Sequence, residues 1–255
     1  TLKINYKFQY SIHIFIWAIL LVLAGSIMQG YANNTFDAIL VAFPMMLLGI
    51  VIVNILFANL AEKNVFLLSY GVYLFIGGII QCYSLATFNN PQSTIDAVNS
   101  FFPYIASQPP FTSMADIAIL LESCLPIVLW QQVYKITWFF NLEHGIYTGI
   151  MFNALIMALT GSITVKIARE VYGNDFYRLK KVVILYTSCG LFIMFGTIFI
   201  RDCFTTFLNA LVLLVIIRWL AKPCYINFII SLITTLLSAI IMSFLRLEAV
   251  VLFGI

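Results

Sequence analysis

The stretch KIAREVYGNDFYRLKKVVILYTSCGLFIMFGTIFIRD, residues 166 to 202, decides the class of fold. Five basic residues within sixteen positions come first, and a run without charged residues from Val182 to Ile200 leads to Arg201 and Asp202. An apolar run of about 20 residues is long enough to cross the hydrocarbon core of a bilayer as a helix. Basic flanks stay on the cytoplasmic side. The stretch therefore predicts a membrane-spanning helix of defined orientation.

The composition of the whole chain indicates the same class. Of its 255 residues, 63% are hydrophobic and 9% are charged, whereas a soluble domain is about 45–50% apolar and about 25% charged. So few charges cannot cover a soluble fold, which excludes a soluble enzyme and a disordered protein. The net charge of +3 is too small for a nucleic-acid-binding module. A membrane barrel would alternate polar and apolar residues in strands of about ten, so we predict an all-α chain.

Seven apolar runs fit full membrane spans, and they form one polytopic transmembrane helical bundle. They cover residues 10–28, 38–60, 65–88, 147–165, 182–200, 203–220 and 225–245. Residues 61–64 are predicted to form a tight turn between the second and third runs. We treat residues 1–255 as a single membrane domain. Because the chain stops inside an apolar run, we expect it to be a fragment of a longer protein.

Three other segments complete the predicted organisation. Residues 89–116 are predicted to form an outer loop, with an amphipathic helix on the membrane surface near residues 93–106. Residues 117–140 are apolar but contain Glu122, Pro126 and Lys135. This segment is predicted to be a re-entrant or interfacial helix. Residues 166–181 are predicted to form a basic cytoplasmic loop.

Orientation follows from the basic residues. With the 166–181 cluster inside, Arg201 and Asp202 fall at the outer face, and so do Arg246 and Glu248. Counting from the basic N-terminus puts Asp96 outside as well, provided that residues 117–140 do not cross the membrane. If that segment crosses, the N-terminus lies outside and Asp96 lies inside. The non-crossing topology satisfies the positive-inside rule at both ends of the chain, and we favour it.

The residues at the predicted outer face suggest phosphate chemistry. Arg201 and Arg246 lie at the ends of neighbouring helices, and a guanidinium group binds phosphate oxygens with two parallel hydrogen bonds. The pyrophosphate of a polyprenyl lipid is the phosphate expected there. Asp96 could take a proton from an attacking sugar hydroxyl. The alternatives are that the arginines only reach toward lipid head groups, that Arg201 pairs with Asp202, and that Asp96 caps a helix.

Other polar residues are secondary candidates. Glu122 interrupts an apolar run, where an acid is functional by default, unless the helix lies at the wet interface. Lys135 beside Trp130 fits interfacial anchoring. The secondary site candidates are Glu122, Lys135, His144 and Glu248. The five cysteines and two histidines are too scattered to form a disulfide framework, a haem site or a metal site.

From Asp96 onward, the order of features resembles bacterial membrane glycosyltransferases and O-antigen or capsule polysaccharide polymerases of the C-type glycosyltransferase superfamily. The resemblance covers residues 96 to 246, and the Arg-Asp pair after an apolar helix is its most specific part. The matching segments are Ile95-Asp96-Ala97, the aromatic stretch 130–140 ending at His144-Gly145, Phe152-Asn153-Ala154-Leu155, the run 164–169, Tyr172-Gly173, Ile200-Arg201-Asp202 and Phe244-Leu245-Arg246.

The resemblance implies a C-type glycosyltransferase-like fold in a bacterial inner membrane. The implied activity is the transfer or polymerisation of sugars carried on undecaprenyl phosphate or pyrophosphate, at the outer (periplasmic) face. Arg201 and Arg246 would hold the phosphate and stabilise the departing charge. Asp96 would activate the acceptor hydroxyl, and Asp202 would orient Arg201. Polyprenyl-linked saccharide and membrane lipid are the expected partners, and a need for a divalent metal ion stays open.

Two other functions remain open at this point. A transporter or lipid-linked oligosaccharide flippase would place charged residues near the membrane centre and would contain broken helices. A structural subunit of a membrane complex would tolerate alanine at Asp96, Arg201 and Arg246, and these residues would not converge.

Overall fold

The computed structural model of the protein describes residues 11–90, 125–143 and 145–245. All regular structure in these ranges is helical, which confirms the prediction of an all-α chain. The nine described helices are α1 (Ile12–Ala32), α2 (Asp37–Leu56), α3 (Leu60–Phe88), α4 (Leu125–Phe139), α5 (Ile146–Tyr172), α6 (Phe176–Ser188), α7 (Gly190–Thr197), α8 (Asp202–Ala221) and α9 (Tyr225–Leu245).

Against the prediction of about seven full spans, the described ranges contain six such helices, or seven if one bent pair is counted as a span. The helices α1, α2, α3, α5, α8 and α9 are each long and apolar enough to cross a membrane. The seventh predicted run, 182–200, forms the pair α6 and α7, which are bent by 54° against each other and make a seventh span only if they are counted together. By length and composition, these helices suggest a multi-pass membrane protein.

The break between α6 and α7 has a local cause. The hydroxyls of Thr187 and Ser188 donate hydrogen bonds to carbonyl groups one turn earlier, at 2.9 Å and 2.7 Å. Such bonds compete with the helical ladder and bend helices. Cys189 then adopts an extended conformation, and Gly190 follows, a residue with low helix propensity. Because all these residues fit an apolar run, hydropathy does not reveal the break.

The described charges are distributed unevenly between the two ends of the bundle. One end, here called the basic end, holds eight of the ten described lysines and arginines: Lys63, Lys166, Arg169, Arg178, Lys180, Lys181, Arg218 and Lys222. The opposite end, called the Arg201 end, holds Lys135 and Arg201. The positive-inside rule assigns such a basic end to the cytoplasmic side.

The helices α3 and α5 run antiparallel. Near the basic end, the Ser162 hydroxyl donates a 2.7 Å hydrogen bond to the Glu62 carbonyl. Toward the other end, Gly77 lies next to Ile150. The chain therefore leaves α3 and enters α5 at the same Arg201 end. The non-crossing topology of residues 117–140 stays a prediction, because residues 91–124 and 144 lie outside the described part of the chain.

The helix α4 packs along the first half of α5. Trp130 and Tyr134 are buried against α5, where the Trp130 Nε1 donates to Asn153 and the Tyr134 hydroxyl donates to the Gly145 carbonyl. The described part of the predicted segment 117–140 is thus packed within the bundle, and its re-entrant or interfacial form stays a prediction.

The structure corrects the prediction that residues 166–181 form a basic loop. Its charged residues lie on the last turns of α5 and the first turns of α6, and only residues 173–175 form the turn. Gly173 ends α5 with a φ of +70°, which disfavours residues with a side chain. Asp175 caps α6, because its Oδ1 accepts hydrogen bonds from the backbone N–H groups of Tyr177 and Arg178. Charged helix ends resemble a loop in a hydropathy pattern.

The predicted turn 61–64 is also wrong. These residues form the first turn of α3, and Asn59 caps the helix by accepting a 2.8 Å hydrogen bond from the Ala61 N–H. The connection from α2 is made by residues 57–59 instead. The predicted outer loop 89–116, with its amphipathic helix, lies outside the described residues except for its first two positions.

Small residues allow α1 and α3 to approach closely. A Cβ added to Gly25 would lie 2.5 Å from the backbone carbonyl of Leu74, and one added to Gly78 would lie 2.8 Å from the Gly25 carbonyl oxygen. Lipid supplies no hydrophobic force between helices, so close packing of this kind has to hold them together. The same pair is joined by the Asn33 amide, which donates a 2.6 Å hydrogen bond to Gln81.

We predict that Gly25→Ala destabilises the protein by about 1–3 kcal/mol, because the added methyl group forces the two helices apart. The measurement is thermal unfolding of the purified full chain in detergent. Gly190→Ala is the matched control, since a Cβ there meets no atom within 4 Å, and its effect should stay below about 1 kcal/mol. Equal effects of the two substitutions would contradict the packing argument.

Candidate functional site

The segment that carries Arg201 joins α7 to α8 at the Arg201 end. Arg201 is the residue immediately before α8, and Asp202 is the first residue of that helix. The Arg201 side chain is half-buried and forms no ion pair within 4 Å with any described residue, Asp202 included. The Asp202 carbonyl accepts the hydroxyls of Thr205 and Thr206, at 2.9 Å and 2.8 Å. The start of α8 is therefore ordered, while the Arg201 guanidinium is not held by a described carboxylate.

Asn153 fixes the position of this segment. Its Nδ2 donates hydrogen bonds to the carbonyls of Ile198 and Ile200, at 3.0 Å and 2.9 Å. Its Oδ1 accepts a 2.9 Å hydrogen bond from the Nε1 of Trp130. Asn153 and Trp130 are both fully buried, so the bond between them forms without competition from water, and the two bonds to the carbonyls are part-buried. We call this set of three hydrogen bonds the Asn153 clamp.

Aromatic packing holds the same segment from the other side. The ring centroids of Trp130 and Phe199 are 4.1 Å apart, and those of Trp130 and Phe204 are 5.6 Å apart. A Cβ on Gly149 would overlap the Phe199 ring, so the glycine makes room for that ring against α5. The turn before Arg201 is thereby packed between α4, α5 and the first residues of α8.

Most of the predicted site residues lie outside the described part of the chain. This applies to Asp96, Glu122, His144, Arg246 and Glu248. Their convergence with Arg201 therefore stays a prediction. Of the other candidates, Lys135 has a partner on its own helix, because its Nζ donates a 3.1 Å hydrogen bond to the exposed side chain of Gln132.

The structure brings together three of the segments on which the family resemblance rests. Trp130, Asn153 and Ile200 belong to separate matching segments and meet in the Asn153 clamp. Sequence analysis quoted Asn153 only as part of the pattern. A signal was present, because a buried amide in an otherwise apolar span must find hydrogen-bond partners.

A second polar cluster, which the sequence analysis missed, lies at the basic end. Glu62 is fully buried, and its Oε1 lies 2.9 Å from a guanidinium nitrogen of Arg169, whose side chain is 25% exposed. Neither carboxylate oxygen receives a well-directed hydrogen bond from the described residues. The predicted turn at residues 61–64 would have left Glu62 in water, which is why its burial was not expected.

The surrounding contacts link three helices at this end. The Lys166 Nζ donates a 3.2 Å hydrogen bond to the Leu56 carbonyl and lies 4.8 Å from the centre of the Phe57 ring. Arg218 on α8 pairs with Glu170 on α5 at 3.3 Å. These contacts tie the connection after α2 and the end of α8 to the last turns of α5.

No model of a known protein family matches the chain, and no curated protein or solved structure matches it. Within the described ranges, no three His, Cys, Asp or Glu side chains are grouped so that they could hold a metal ion.

The Asn153 clamp gives a direct stability prediction. Asn153→Leu removes the amide hydrogen bonds to the Ile198 and Ile200 carbonyls and from the Trp130 N–H, and we expect a loss of about 1–3 kcal/mol. Asn227→Leu is the matched control, because it removes a similar 2.9 Å amide-to-carbonyl hydrogen bond at an exposed position. Thermal unfolding in detergent should show a larger loss of stability for Asn153→Leu than for Asn227→Leu. Equal losses would show that the clamp stabilises the protein no more than an exposed hydrogen bond does.

The buried ion pair gives a second prediction. Arg169→Gln leaves the Glu62 charge buried without its partner, which should cost about 3–5 kcal/mol. The double variant Glu62→Gln/Arg169→Gln should recover most of that loss, since it leaves no isolated charge. Arg178→Gln is the control, because its pair with Asp175 is 61% and 39% exposed and should contribute less than about 1 kcal/mol. A double variant as unstable as Arg169→Gln would refute this account.

Proposed function

We propose that the protein is a membrane glycosyltransferase or polysaccharide polymerase that uses sugars carried on polyprenyl phosphate or pyrophosphate at the Arg201 end. The observation that carries the proposal is the position of Arg201. The Asn153 clamp fixes the segment before it, and the guanidinium group has no ion-pair partner among the described residues. An arginine at a helix end, with the backbone before it held and with no ion-pair partner among the described residues, is suited to bind an anionic group.

The charge distribution supports the side of the membrane. The basic end holds eight of the ten described basic residues, and such ends face the cytoplasm. The Arg201 end then faces outward, toward the periplasm in the bacterial inner membrane that we propose as the location. A polyprenyl carrier presents its phosphate at that surface, with its chain in the bilayer.

The proposed reaction needs a base for the acceptor hydroxyl and positive groups for the departing phosphate. The acceptor hydroxyl oxygen forms a bond to the anomeric carbon of the donor sugar, and its proton passes to the Asp96 carboxylate. The bond between that carbon and the phosphate oxygen breaks, and the electron pair leaves with the phosphate. Arg201 and Arg246 stabilise the charge that develops there, and the positive end of the α8 dipole adds to this effect.

The proposal adds a second source of Arg201 positioning to the predicted one. Asp202 was predicted to orient Arg201, but no ion pair within 4 Å joins the two side chains. The Asn153 clamp acts on the backbone at Ile200, directly before Arg201. We therefore propose that the clamp positions Arg201, and Asp202 keeps a catalytic role only as a prediction.

One observation favours transport as a second candidate function. The described chain contains the broken helix pair α6 and α7, and discontinuous helices are typical of transporter binding sites. Against this, the buried pair Glu62 and Arg169 lies near the basic end and not at the membrane centre. A flippase for lipid-linked oligosaccharides would combine the broken helix pair and the buried ion pair with a phosphate-binding Arg201.

We predict that Arg201→Ala lowers glycosyl transfer by about 100- to 1000-fold, the effect of removing one group that stabilises a developing negative charge. Arg201→Lys should recover only part of the activity, because an ammonium group lacks the two-pronged guanidinium geometry. The assay follows the lengthening of undecaprenyl-pyrophosphate-linked saccharide in proteoliposomes that contain the full chain.

Two controls make this test specific. Arg178→Ala changes an exposed arginine at the basic end and should leave transfer unchanged, and the unfolding temperature of Arg201→Ala should match that of the unmodified protein. Full activity of Arg201→Ala would overturn the proposed mechanism. Movement of a fluorescent lipid-linked saccharide across the bilayer without any lengthening would instead support the flippase.

A further inference from the structure

A cavity of about 360 Å³ lies at the basic end, between the starts of α1 and α3 and the first half of α6. It is separate from the Arg201 site, which is at the opposite end of the bundle. Apolar side chains form most of its wall, among them Ile14, Leu60, Leu179 and Val183. Polar side chains also line it, namely Asn59, Asn64, Asn174 and Lys180.

The polar side chains carry hydrogen-bond donors that bind no described acceptor. The Asn59 Oδ1 accepts the Ala61 N–H at 2.8 Å, and the Asn64 Oδ1 accepts the Ser11 N–H at 3.3 Å. Each amide therefore has its oxygen engaged, and its Nδ2 donates to no described acceptor. Lys180 adds an exposed ammonium group with no described ion-pair partner. An amide nitrogen and an ammonium group can only donate, so these three groups could bind the acceptor oxygens of a ligand.

The charge around the cavity points the same way. No Asp or Glu is among its described lining residues. The nearest acid in sequence, Asp175, caps α6 and pairs with Arg178 at 3.3 Å. Lys180 is the only Lys or Arg among the described lining residues. These donors suit an anion with several acceptor oxygens, and a phosphate group has this chemistry.

The apolar wall of the cavity favours a phospholipid over a free inorganic ion as the source of that phosphate. Leu179 and Val183 offer nothing to a free inorganic ion, but they suit an acyl chain. The side chains of Phe176 and Tyr177 are 71% and 78% exposed beside the cavity, and aromatic residues at such helix ends mark the level of the lipid head groups. Anionic phospholipids are abundant in the cytoplasmic leaflet, and basic pockets between helices bind their head groups.

The geometry points to a binding site for an anionic phospholipid, with its phosphate at Asn59, Asn64 and Lys180 and one acyl chain along the apolar wall. Bound there, the lipid joins the start of α3 to α6. It stabilises the folded protein by mass action, since an unfolded chain lacks the site. This inference does not depend on the reaction proposed at the Arg201 end.

The test measures binding of dioleoyl-phosphatidylglycerol to the purified full chain in detergent, by native mass spectrometry and by the rise in unfolding temperature. Lys180→Gln should weaken binding about fivefold, the contribution of one basic side chain near a lipid surface. Asn64→Asp keeps an oxygen for the Ser11 N–H but replaces the donor with a negative charge, and should weaken binding further. Lys181→Gln is the matched control, an exposed neighbour outside the cavity, and should bind as the unmodified protein does.

Three results would overturn the proposal. Equal weakening by Lys181→Gln and Lys180→Gln would show attraction to general surface charge. Equal binding of dioleoyl-phosphatidylcholine would show that the anionic head group is not recognised. An equal rise in unfolding temperature with inorganic phosphate alone would assign the cavity to a soluble anion. Because Asn64→Asp tests the same site independently, failure of Lys180→Gln to fold would not remove the test.

Discussion

The amide of Asn153 makes three hydrogen bonds inside the bundle, and the position of Arg201 depends on them. Two bonds hold carbonyls at the end of the turn before α8, and the third comes from the indole of Trp130. Within a membrane, unpaired backbone groups cost several kcal/mol, so an irregular turn between two apolar helices needs such partners. The clamp supplies these partners. It also holds the backbone directly before Arg201.

The rest of the bundle follows the same constraint, because lipid is as apolar as the side chains that face it. Hydrophobicity therefore keeps the helices in the membrane but does not decide which helix faces meet. Small residues and polar contacts decide this instead. Gly25 and Gly78 set the approach of α1 to α3, and Gly149 and Gly161 accept the rings of Phe199 and Tyr186 on α5.

The sequence predicts the features that depend on length and net composition, and misses those that depend on pairing. Run lengths and the basic cluster predict the helical class and the two different ends of the bundle. The Asn153 clamp joins groups 45 residues apart, and no local pattern encodes that contact. The burial of Glu62 depends on Arg169 in the same way. The break at Cys189 is hidden because every residue around it is compatible with an apolar span.

The two polar contacts on α5 act together, since Asn153 and Arg169 lie sixteen positions apart on one helix. They are separated by about 24 Å along its axis, and each has a partner on a different part of the bundle. A one-residue slip of α5 would rotate both side chains by about 100° and break both contacts at once. Apolar packing alone would tolerate such a slip far better, since most faces of the neighbouring helices are similarly apolar. The buried ion pair at the basic end thus has a structural use that does not require it to add net stability. It fixes the register of α5, and that register places Asn153 level with the turn that carries Arg201.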